Sequence, residues 1–391
     1  MSERICVANI IEEGRLGGPQ IRIYRVAKEL YDHDVETTVI YPKCESDEFN
    51  QILTNGNVKN ISVPLHHLTK EKKHLLAYFL FFPKEFLFLY CFFKKKRFDI
   101  IHCSGGSWQF KGLVTGKLSG SRTIWHLNDT VMPRIFQKLF CFLAPRFADG
   151  IIVAGNKVKQ YYVDNLKLKD MLLFEIQAPV DTNYFNPRNA NYDSQISKYK
   201  GLKIITVANI APNKGIHYFL SMAAQLNKRY QNIHFFIIGS VFSSQKKYFT
   251  SLKEQKNNLT LENLHFYGPS ASIREVLKAA DIFVFPSIAE ASPTAVWEAM
   301  SMEKAIVSTE VGDVNRFLVN GESGFVVPPQ NVEVLTEKVQ VLIENPDLRE
   351  LFGTRARRVA KSFLDIEIIA KEHKNVYSAV MESNGSKNAG K

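Results

Sequence analysis

The sequence predicts an α/β protein built from two Rossmann-like domains. Its 391 residues exceed what one ordinary hydrophobic core accommodates, since domains of roughly 150–200 residues are usual. Short apolar runs that end in Gly, Ser, Asn or Pro alternate with stretches of helical period, which is the pattern of parallel βαβ units. This alternation occurs once in each half of the chain, on either side of a polar stretch at 185–200.

The predicted strands follow one another in each half. They are RICVANI (4–10), VETTVIYP (35–42), DIIHCSG (99–105), RTIWHLN (122–128) and GIIVAG (150–155), then LKIITVANI (202–210), IHFFIIGS (233–240), LHFYG (264–268), DIFVFPS (281–287), KAIVSTE (304–310) and SGFVVP (323–328). We therefore expect a first domain over 1–184, a linker over 185–200, a second domain over 201–364, and a C-terminal helix with a disordered tail over 365–391.

Composition narrows the classes of partner. The formal net charge of +11 and the pI of about 9.2 suit phosphorylated substrates, an anionic membrane surface or nucleic acid. No nucleic-acid-binding module is recognisable, so we expect no nucleic acid partner. The five cysteines are scattered without a CxxC pair, which predicts reduced thiols in the cytosol and no disulfide or zinc framework. Nothing at the N-terminus resembles a signal peptide.

The stretch PSIAEASPTAVWEAMS (286–301) places Glu290 and Glu298 eight positions apart around a predicted helix start at Ser292-Pro293. The free N–H groups of a helix N-terminus suit a phosphate, and carboxylates accept hydrogen bonds from vicinal hydroxyls. At ~1.5 Å per residue the two glutamates are on the order of 12 Å apart or less, the span of a sugar diphosphate. Taken alone, the pair also fits a solvated loop residue and an exposed helix residue.

With DIFVFPS before it and KAIVSTEVGDVNRFLVNGESGFVVPP after it, this stretch resembles the retaining glycosyltransferases of family 4, which have the GT-B fold. The resemblance implies a deep interdomain cleft and a C-terminal helix that returns to the first domain. It also implies that Glu290 contacts the donor sugar and Glu298 the ribose. The main chain over Ser292, Pro293, Thr294 and Ala295 would bind the diphosphate.

Further loops extend the resemblance. VANIAPNKGIHYFL (207–220) resembles the loop whose arginine and lysine hold the pyrophosphate, with Lys214 kept and Asn209 in the place of the arginine. The glycine loop around Gly17 and Gly18 would face the donor phosphate, where Arg15 would compensate for the missing cation. The turn at Gly268 and Pro269 would bracket the base. His126 would lie beside the donor sugar and the acceptor, and Asp129 would bind the acceptor.

The implied activity is retaining transfer of a sugar from a nucleotide-diphosphate sugar, with a UDP- or GDP-sugar most expected, to a hydroxyl of a glycan or lipid-linked acceptor in cell-surface polysaccharide biosynthesis. Glu290, Lys214 and His126 would be its catalytic residues. No cofactor and no metal is expected, because the D-x-D at Asp32 and Asp34 falls where the family has a turn. Two alternatives stay open: a non-catalytic nucleotide-sugar-binding subunit of a glycan assembly complex, and a GT-B nucleotide-sugar epimerase.

The segment 70–97 is the most unusual part of the chain. It carries eight Lys or Arg residues against two Glu, with nine aromatic residues between Tyr78 and Phe93. We expect Pro83 to split this run into pieces too short to span ~30 Å of hydrocarbon. An in-plane contact with an anionic membrane surface therefore fits, which predicts a cytoplasmic protein peripherally bound to the inner face of the membrane. A buried helix with a basic rim is the alternative.

Overall fold

The computed structural model describes residues 4–66, 72–107, 109–129, 132, 134–166, 168 and 171–383. The chain divides into two compact units. The first comprises Met1–Pro179 and Ile366–Lys391, and the second comprises Val180–Asp365.

The first unit is an α/β layer structure. Its described strands form a parallel sheet in the order β3-β2-β1-β4-β5-β6-β7. The strands are β1 (Ile5–Ile11), β2 (Val35–Pro42), β3 (Asn60–Val63), β4 (Ile100–Ser104), β5 (Arg122–Leu127), β6 (Gly150–Val153) and β7 (Leu173–Glu175). The helices between them are α1 (Gly18–Leu30), α2 (Asp47–Asn55), α3 (Lys72–Lys96), α4 (Lys111–Ser119), α5 (Arg134–Phe147) and α6 (Asn156–Leu166).

The second unit repeats this architecture. Its described strands form a parallel sheet in the order β10-β9-β8-β11-β12-β13. The strands are β8 (Leu202–Val207), β9 (Ile233–Ile238), β10 (Leu264–Gly268), β11 (Ile282–Phe285), β12 (Ala305–Thr309) and β13 (Phe325–Val327). The helices are α7 (Ile216–Asn227), α8 (Lys246–Asn258), α9 (Ile273–Ala279), α10 (Thr294–Ser301), α11 (Val314–Phe317), α12 (Val332–Glu344) and α13 (Pro346–Phe363). The predicted class of two Rossmann-like α/β domains is confirmed.

Both sheets carry a topological switch point. In the first sheet the strand order reverses between β1 and β4, and in the second sheet between β8 and β11. In open α/β sheets ligands bind outside the carboxyl ends of the strands at such a point, because the loops leave in opposite directions there. The loops after these four strands are therefore where a ligand site is expected.

The last helix, α14 (Ile366–Glu382), belongs to the first unit. Its apolar face is buried with α1 and the strands of the first sheet, through residues such as Ile369, Tyr377 and Val380. Gly150 on β6 allows a close approach, since a Cβ there would lie 2.8 Å from Val380 Cγ2. The chain thus enters the second unit at residue 180 and returns to the first at 366.

The expected linker at 185–200 is corrected by the structure, because this stretch packs within the second unit. Phe185 and Ile196 are 3% and 0% exposed and belong to the core that contains Trp297. Asp193 accepts hydrogen bonds from the backbone N–H of Gln195 and Ile196, as polar turn residues do. The polar composition here reflects turns on a packed segment. The first unit therefore ends at residue 179 instead of 184, and the second begins at 180 instead of 201.

Helix α3 also corrects an expectation, since it runs without a break from Lys72 to Lys96 through Pro83. Proline in a helix interior removes one hydrogen bond to the carbonyl four residues earlier. That carbonyl belongs to Phe79, and both Phe79 and Pro83 are exposed, so water can replace the lost donor. Among the described residues, no helix combines the length and the apolar character needed to cross a membrane.

Candidate functional site

The loops after β8 and β11 meet at the switch point of the second sheet. The backbone N–H of Ile288 donates to the carbonyl of Asn213 at 2.8 Å. Gly215 has φ +64°, and a Cβ there would lie 1.9 Å from the carbonyl oxygen of Pro286. Only glycine permits this approach. The two loops are therefore clamped to each other by their main chains.

The clamp brings Lys214 and Glu290 together, although 76 positions separate them. Lys214 Nζ donates to Glu290 Oε1 at 2.5 Å, and Ser287 Oγ donates to the same oxygen at 2.9 Å. The lysine and glutamate side chains are 25% and 13% exposed, so the pair is reachable from solvent but partly desolvated. A cation and a carboxylate side by side can bind a phosphate and a set of hydroxyls respectively.

Helix α10 follows directly after this loop. It begins at Thr294 with Pro293 in the N-cap position, so proline stands one residue earlier than the predicted first helical position. Ser292 does not cap the helix; its Oγ accepts a hydrogen bond from Trp297 Nε1 at 3.3 Å. Glu298 lies inside α10 and is 8% exposed. The main chain of 293–295 thus starts a helix at the switch point, beside the Lys214–Glu290 pair.

Asn209, which replaces the cation of the resembled loop, lies at the end of β8. Its Oδ1 accepts from the backbone N–H of Ser240 at 3.4 Å. The neighbouring strand ends are tied as well, because Gly239 N donates to the Gly268 carbonyl at 2.9 Å. Asn209 therefore positions the turn after β9 in this structure, and the turn at Gly268 and Pro269 lies next to it along the edge.

The glycine loop of the first unit follows β1 and leads into α1. Gly17 is the N-cap and Pro19 occupies the first turn. Among the described residues nothing lies within 4 Å of a Cβ placed on Gly18, so the loop offers open space at a helix N-terminus. Arg15 pairs with Glu13 at 2.8 Å, which differs from its expected role as a substitute phosphate cation.

His126 does not lie where a ligand could reach it. The residue is fully buried, and Arg22 Nη1 lies 2.5 Å from its Nε2. Because a guanidinium only donates, His126 Nε2 must accept and its Nδ1 must carry the proton. That proton points to His102 Nε2 at 3.2 Å, and His102 Nδ1 in turn points to the Tyr377 hydroxyl at 2.8 Å.

Burial and the nearby guanidinium lower the pKa of His126 well below its usual value, and burial lowers the pKa of His102 likewise. Both rings are therefore neutral at physiological pH, as the directed chain of hydrogen bonds requires. The structure thus corrects the expected contact of His126 with sugars. Its ring nitrogens contact Arg22 of α1 and His102 of β4, and His102 continues the chain of hydrogen bonds to Tyr377 of α14.

Asp129 lies just beyond the end of β5 and is partly buried. Its two oxygens accept from the Ser107 hydroxyl at 2.9 Å and the Tyr162 hydroxyl at 2.5 Å. Burial raises the pKa of Asp129 above its usual value in spite of these hydrogen bonds. The carboxylate is already engaged with two neighbours in this structure, at the edge where an acceptor was expected.

Sequence reasoning missed a buried charged cluster at the end of β1. Lys111 Nζ lies 2.6 Å from Glu85 Oε2 and 3.7 Å from Glu12 Oε2, and it stands 3.8 Å from the ring centroid of Tyr78. The three charged residues are at most 4% exposed, and burial raises the pKa of Glu12 to about 7. The one available signal was Glu12 directly before the glycine loop, while Glu85 and Lys111 are unremarkable in sequence.

Two further features bear on ligands. A cavity of about 490 Å³ opens at the amino edge of the first sheet, opposite its switch point, and Lys59 and Glu36 in its lining pair with each other. In the part of the chain that the structure describes, no group of three His, Cys, Asp or Glu side chains could hold a metal ion. Asp34 of the D-x-D ends a turn with φ 60°, between α1 and β2.

Two Rossmann-like α/β units, each with a topological switch point, place the chain in the class of two-domain α/β proteins with parallel sheets. The family model described as "Glycosyl transferases group 1" matches residues 189–359, and "Glycosyltransferase Family 4" matches residues 16–184. The chain therefore belongs to the family 4 glycosyltransferases of the GT-B fold.

Individual relatives are distant. The N,N'-diacetylbacillosaminyl-diphospho-undecaprenol alpha-1,3-N-acetylgalactosaminyltransferase of Campylobacter jejuni is 23% identical over 376 residues, which is 92% of this chain and 95% of that protein. The capsular polysaccharide biosynthesis glycosyltransferase CapM of Staphylococcus aureus is 25% identical over 184 residues, 46% of this chain. The chain spans about half the length of CapM, 47%. The crystal structure of Anabaena HepE with UDP and glucose superposes with a TM-score of 0.80 at 18% identity, covering 95% of this chain and 99% of that one.

Proposed function

We propose that this protein is a glycosyltransferase that moves a sugar from a UDP- or GDP-sugar to a hydroxyl of a glycan or lipid-linked glycan, in the assembly of a cell-surface polysaccharide. The observation that carries the proposal is the Lys214–Glu290 pair at the switch point of the second sheet, clamped by Gly215. A relative that acts on a diphospho-undecaprenol-linked acceptor aligns over nearly its whole length, which supports this acceptor class.

In the proposed mechanism the second unit binds the donor. Lys214 and the main chain at the start of α10 bind the diphosphate, where charge develops as the bond to the sugar breaks. Within 293–295 the N–H of Ala295 serves this role, because Pro293 has no N–H and Thr294 N donates to the Ser292 carbonyl at 3.1 Å. Glu290 accepts hydrogen bonds from the sugar hydroxyls and Glu298 from the ribose. We propose that Lys214, rather than a divalent metal, supplies the positive charge.

Retention of configuration would follow from attack on the same face of the sugar from which the diphosphate leaves. The leaving phosphate oxygen takes the proton of the acceptor hydroxyl, so no side-chain base is needed. Catalysis then rests on positioning and on stabilising the leaving group. Because His126 is enclosed, we assign it a positioning role within the first unit.

The test is ligand-induced thermal stabilisation with UDP, GDP, ADP and dTDP and their glucose or mannose conjugates. Wild type is compared with Lys214→Ala, Glu298→Ala and the control Lys338→Ala, a half-buried lysine of the same unit that pairs with exposed Glu337. We expect one nucleotide class to raise Tm in wild type and control and not in the two site variants. Absence of any shift in the wild type would refute the proposal.

A transfer assay then separates the alternatives. Incubation of the stabilising donor with a synthetic polyprenyl-diphosphate-linked sugar, with and without EDTA, should give an α-linked product in both cases. Binding without transfer or hydrolysis would indicate the non-catalytic subunit, and conversion of the donor sugar without acceptor would indicate the epimerase.

We propose in addition that helix α3 contacts an anionic membrane from the cytoplasmic side. Tyr78, Glu85, Leu89 and Phe93 of this helix are buried in the first unit. The opposite face exposes large apolar side chains, namely Phe79 60%, Leu80 70%, Phe81 40%, Leu87 62% and Phe88 38%. The buried face agrees with the alternative of a buried helix, and the exposed apolar face supports the proposed membrane contact.

The basic end of α3 favours this partner over a neutral one. Lys94, Lys95 and Lys96 are exposed and close the helix, followed by exposed Arg97. At ~1 kcal/mol per basic residue near an anionic surface, the three lysines supply ~3 kcal/mol, about a hundredfold in binding. The affinity for phosphatidylglycerol vesicles, measured by co-sedimentation, should therefore fall about a hundredfold in the variant with all three lysines replaced by serine. Equal binding of both proteins, or equal binding to phosphatidylcholine vesicles, would refute the contact.

A further inference from the structure

The Lys214–Glu290 ion pair occupies the groups that a donor needs. Glu290 Oε1 accepts from both Lys214 Nζ and the Ser287 hydroxyl, and Ser287 itself is fully buried. The loops that carry the pair are fixed to each other by the Ile288–Asn213 hydrogen bond and by the close approach at Gly215. When a ligand binds, the side chains of Lys214 and Glu290 can therefore exchange hydrogen-bond partners while the main chain of their loops stays fixed.

A diphosphate that binds Lys214 brings a second anion to the ammonium group that Glu290 holds, so the phosphate and the carboxylate repel each other and compete for its charge. If the phosphate succeeds, the Glu290 carboxylate, 13% exposed, keeps only the hydrogen bond from Ser287 among the described residues. A partly buried carboxylate that loses its cation is destabilised unless other donors replace it. The hydroxyls of a transferred sugar are such donors, whereas the only hydroxyls of a free nucleoside diphosphate are those of its ribose, which the proposed site assigns to Glu298.

We propose that the Lys214–Glu290 ion pair acts as a built-in competitor that makes the site prefer sugar-bearing nucleotides over free nucleoside diphosphates. This inference rests on the proposed donor site and adds a specificity determinant to it. A nucleotide sugar exchanges the ion pair for two new interactions, phosphate with Lys214 and hydroxyls with Glu290. A free diphosphate breaks the ion pair and replaces one half of it.

The same exchange favours product release. Once the sugar has moved to the acceptor, Glu290 has lost its hydroxyl partners and the diphosphate still holds Lys214. Re-formation of the ion pair then displaces the diphosphate from the ammonium group. The pair thus opposes product inhibition, which a site with an uncharged residue at 290 would suffer.

The test compares dissociation constants of UDP, UDP-glucose, GDP and GDP-mannose, measured by calorimetry, for wild type and Glu290→Gln. Glutamine keeps an oxygen acceptor and a similar shape but cannot form an ion pair. We expect Glu290→Gln to bind the free diphosphate about tenfold more tightly than wild type. It should bind the nucleotide sugar no more tightly, so the preference for the sugar-bearing form falls about tenfold.

Two controls make the result specific. Glu337→Gln removes the same charge from an exposed ion pair of the same unit and should leave both affinities unchanged. Glu290→Asp keeps the charge on a side chain one carbon shorter, which weakens the ion pair, and should give a smaller gain for the diphosphate. Should Glu290→Gln fail to fold, a gain for Glu290→Asp supports the proposal and its absence overturns it.

Unchanged or weaker diphosphate binding by Glu290→Gln, with wild type binding both ligands, would overturn this inference alone. A wild type that binds no nucleotide would overturn the proposed function together with it.

Discussion

Substitution of Gly215 by alanine tests the clamp at the candidate site, and Gly268 offers a matched control. Both glycines have positive φ, +64° and +86°. A Cβ on Gly215 would lie 1.9 Å from the Pro286 carbonyl oxygen, whereas within the described residues nothing lies within 4 Å of a Cβ on Gly268. The two substitutions therefore share the backbone strain and differ in the close approach.

The expected cost follows from these two contributions. Alanine in the left-handed region costs roughly 1–2 kcal/mol, which is the whole effect at Gly268. At Gly215 the carbonyl must also move by about 1.5 Å to reach ordinary van der Waals distance, and such overpacking adds roughly 1–3 kcal/mol. We expect a loss of about 1–2 kcal/mol for Gly268→Ala and about 2–5 kcal/mol for Gly215→Ala.

Calorimetric unfolding of the full chain measures this difference. For a unit of 150–250 residues, 1 kcal/mol shifts Tm by ~2–4 °C, so Gly268→Ala should lower the transition of the second unit by ~2–8 °C and Gly215→Ala by ~4–20 °C. Hydrogen exchange should accelerate in 208–215 and 286–290 together in Gly215→Ala. Equal Tm losses, or exchange confined to one of the two loops, would refute the clamp.

Three further predictions concern the first unit. Tyr377→Phe removes the acceptor of His102 Nδ1–H, so we expect the free energy of unfolding, measured with urea, to fall by ~1–3 kcal/mol. Burial lowers the pKa of His373 to about 4 from 6.5, so the stability that depends on its neutral form is complete above pH 6.5 and is lost as pH falls toward 4; His373→Gln should flatten the pH dependence of Tm over that window. Burial raises the pKa of Glu12 to about 7 from 4.5, so the stability that depends on its protonated form is complete below pH 4.5 and is lost as pH rises through 7. The Tm of Glu12→Gln should therefore rise relative to that of wild type between pH 5 and 8, and a relative rise on acidification would contradict the assignment.

The strands were predictable because a strand of a parallel sheet is buried on both faces and therefore appears in the sequence as a continuous apolar run. VETTVIYP was predicted at its observed bounds, Val35–Pro42. The two strands that sequence analysis missed, β3 and β7, are four and three residues long and lie at the edges of the first sheet. Half-exposed edge strands of that length carry too few apolar residues to show a period.

The candidate site was predictable only in part. Family resemblance pointed to Lys214 and Glu290 separately, but their pairing depends on the adjacency of β8 and β11, which no local pattern encodes. The enclosure of His126 depends in the same way on Arg22 from α1 and His102 from β4. Side chains supplied by three distant segments create an environment that sequence spacing does not contain.

The polar residues at the two switch points are used in different ways. In the first unit, Arg22 and Lys111 are at most 5% exposed, so their charges are hidden from a ligand. Their hydrogen bonds run to His126, to Glu85 and to the carbonyl of His66. In the second unit, Lys214 and Glu290 keep 25% and 13% of their side-chain surface and hold each other on clamped loops. A charged donor needs groups that are preorganised and still exchangeable, because a fully buried ion pair would cost too much to open. The Lys214–Glu290 pair meets both conditions, which supports the proposed placement of the diphosphate in the second unit.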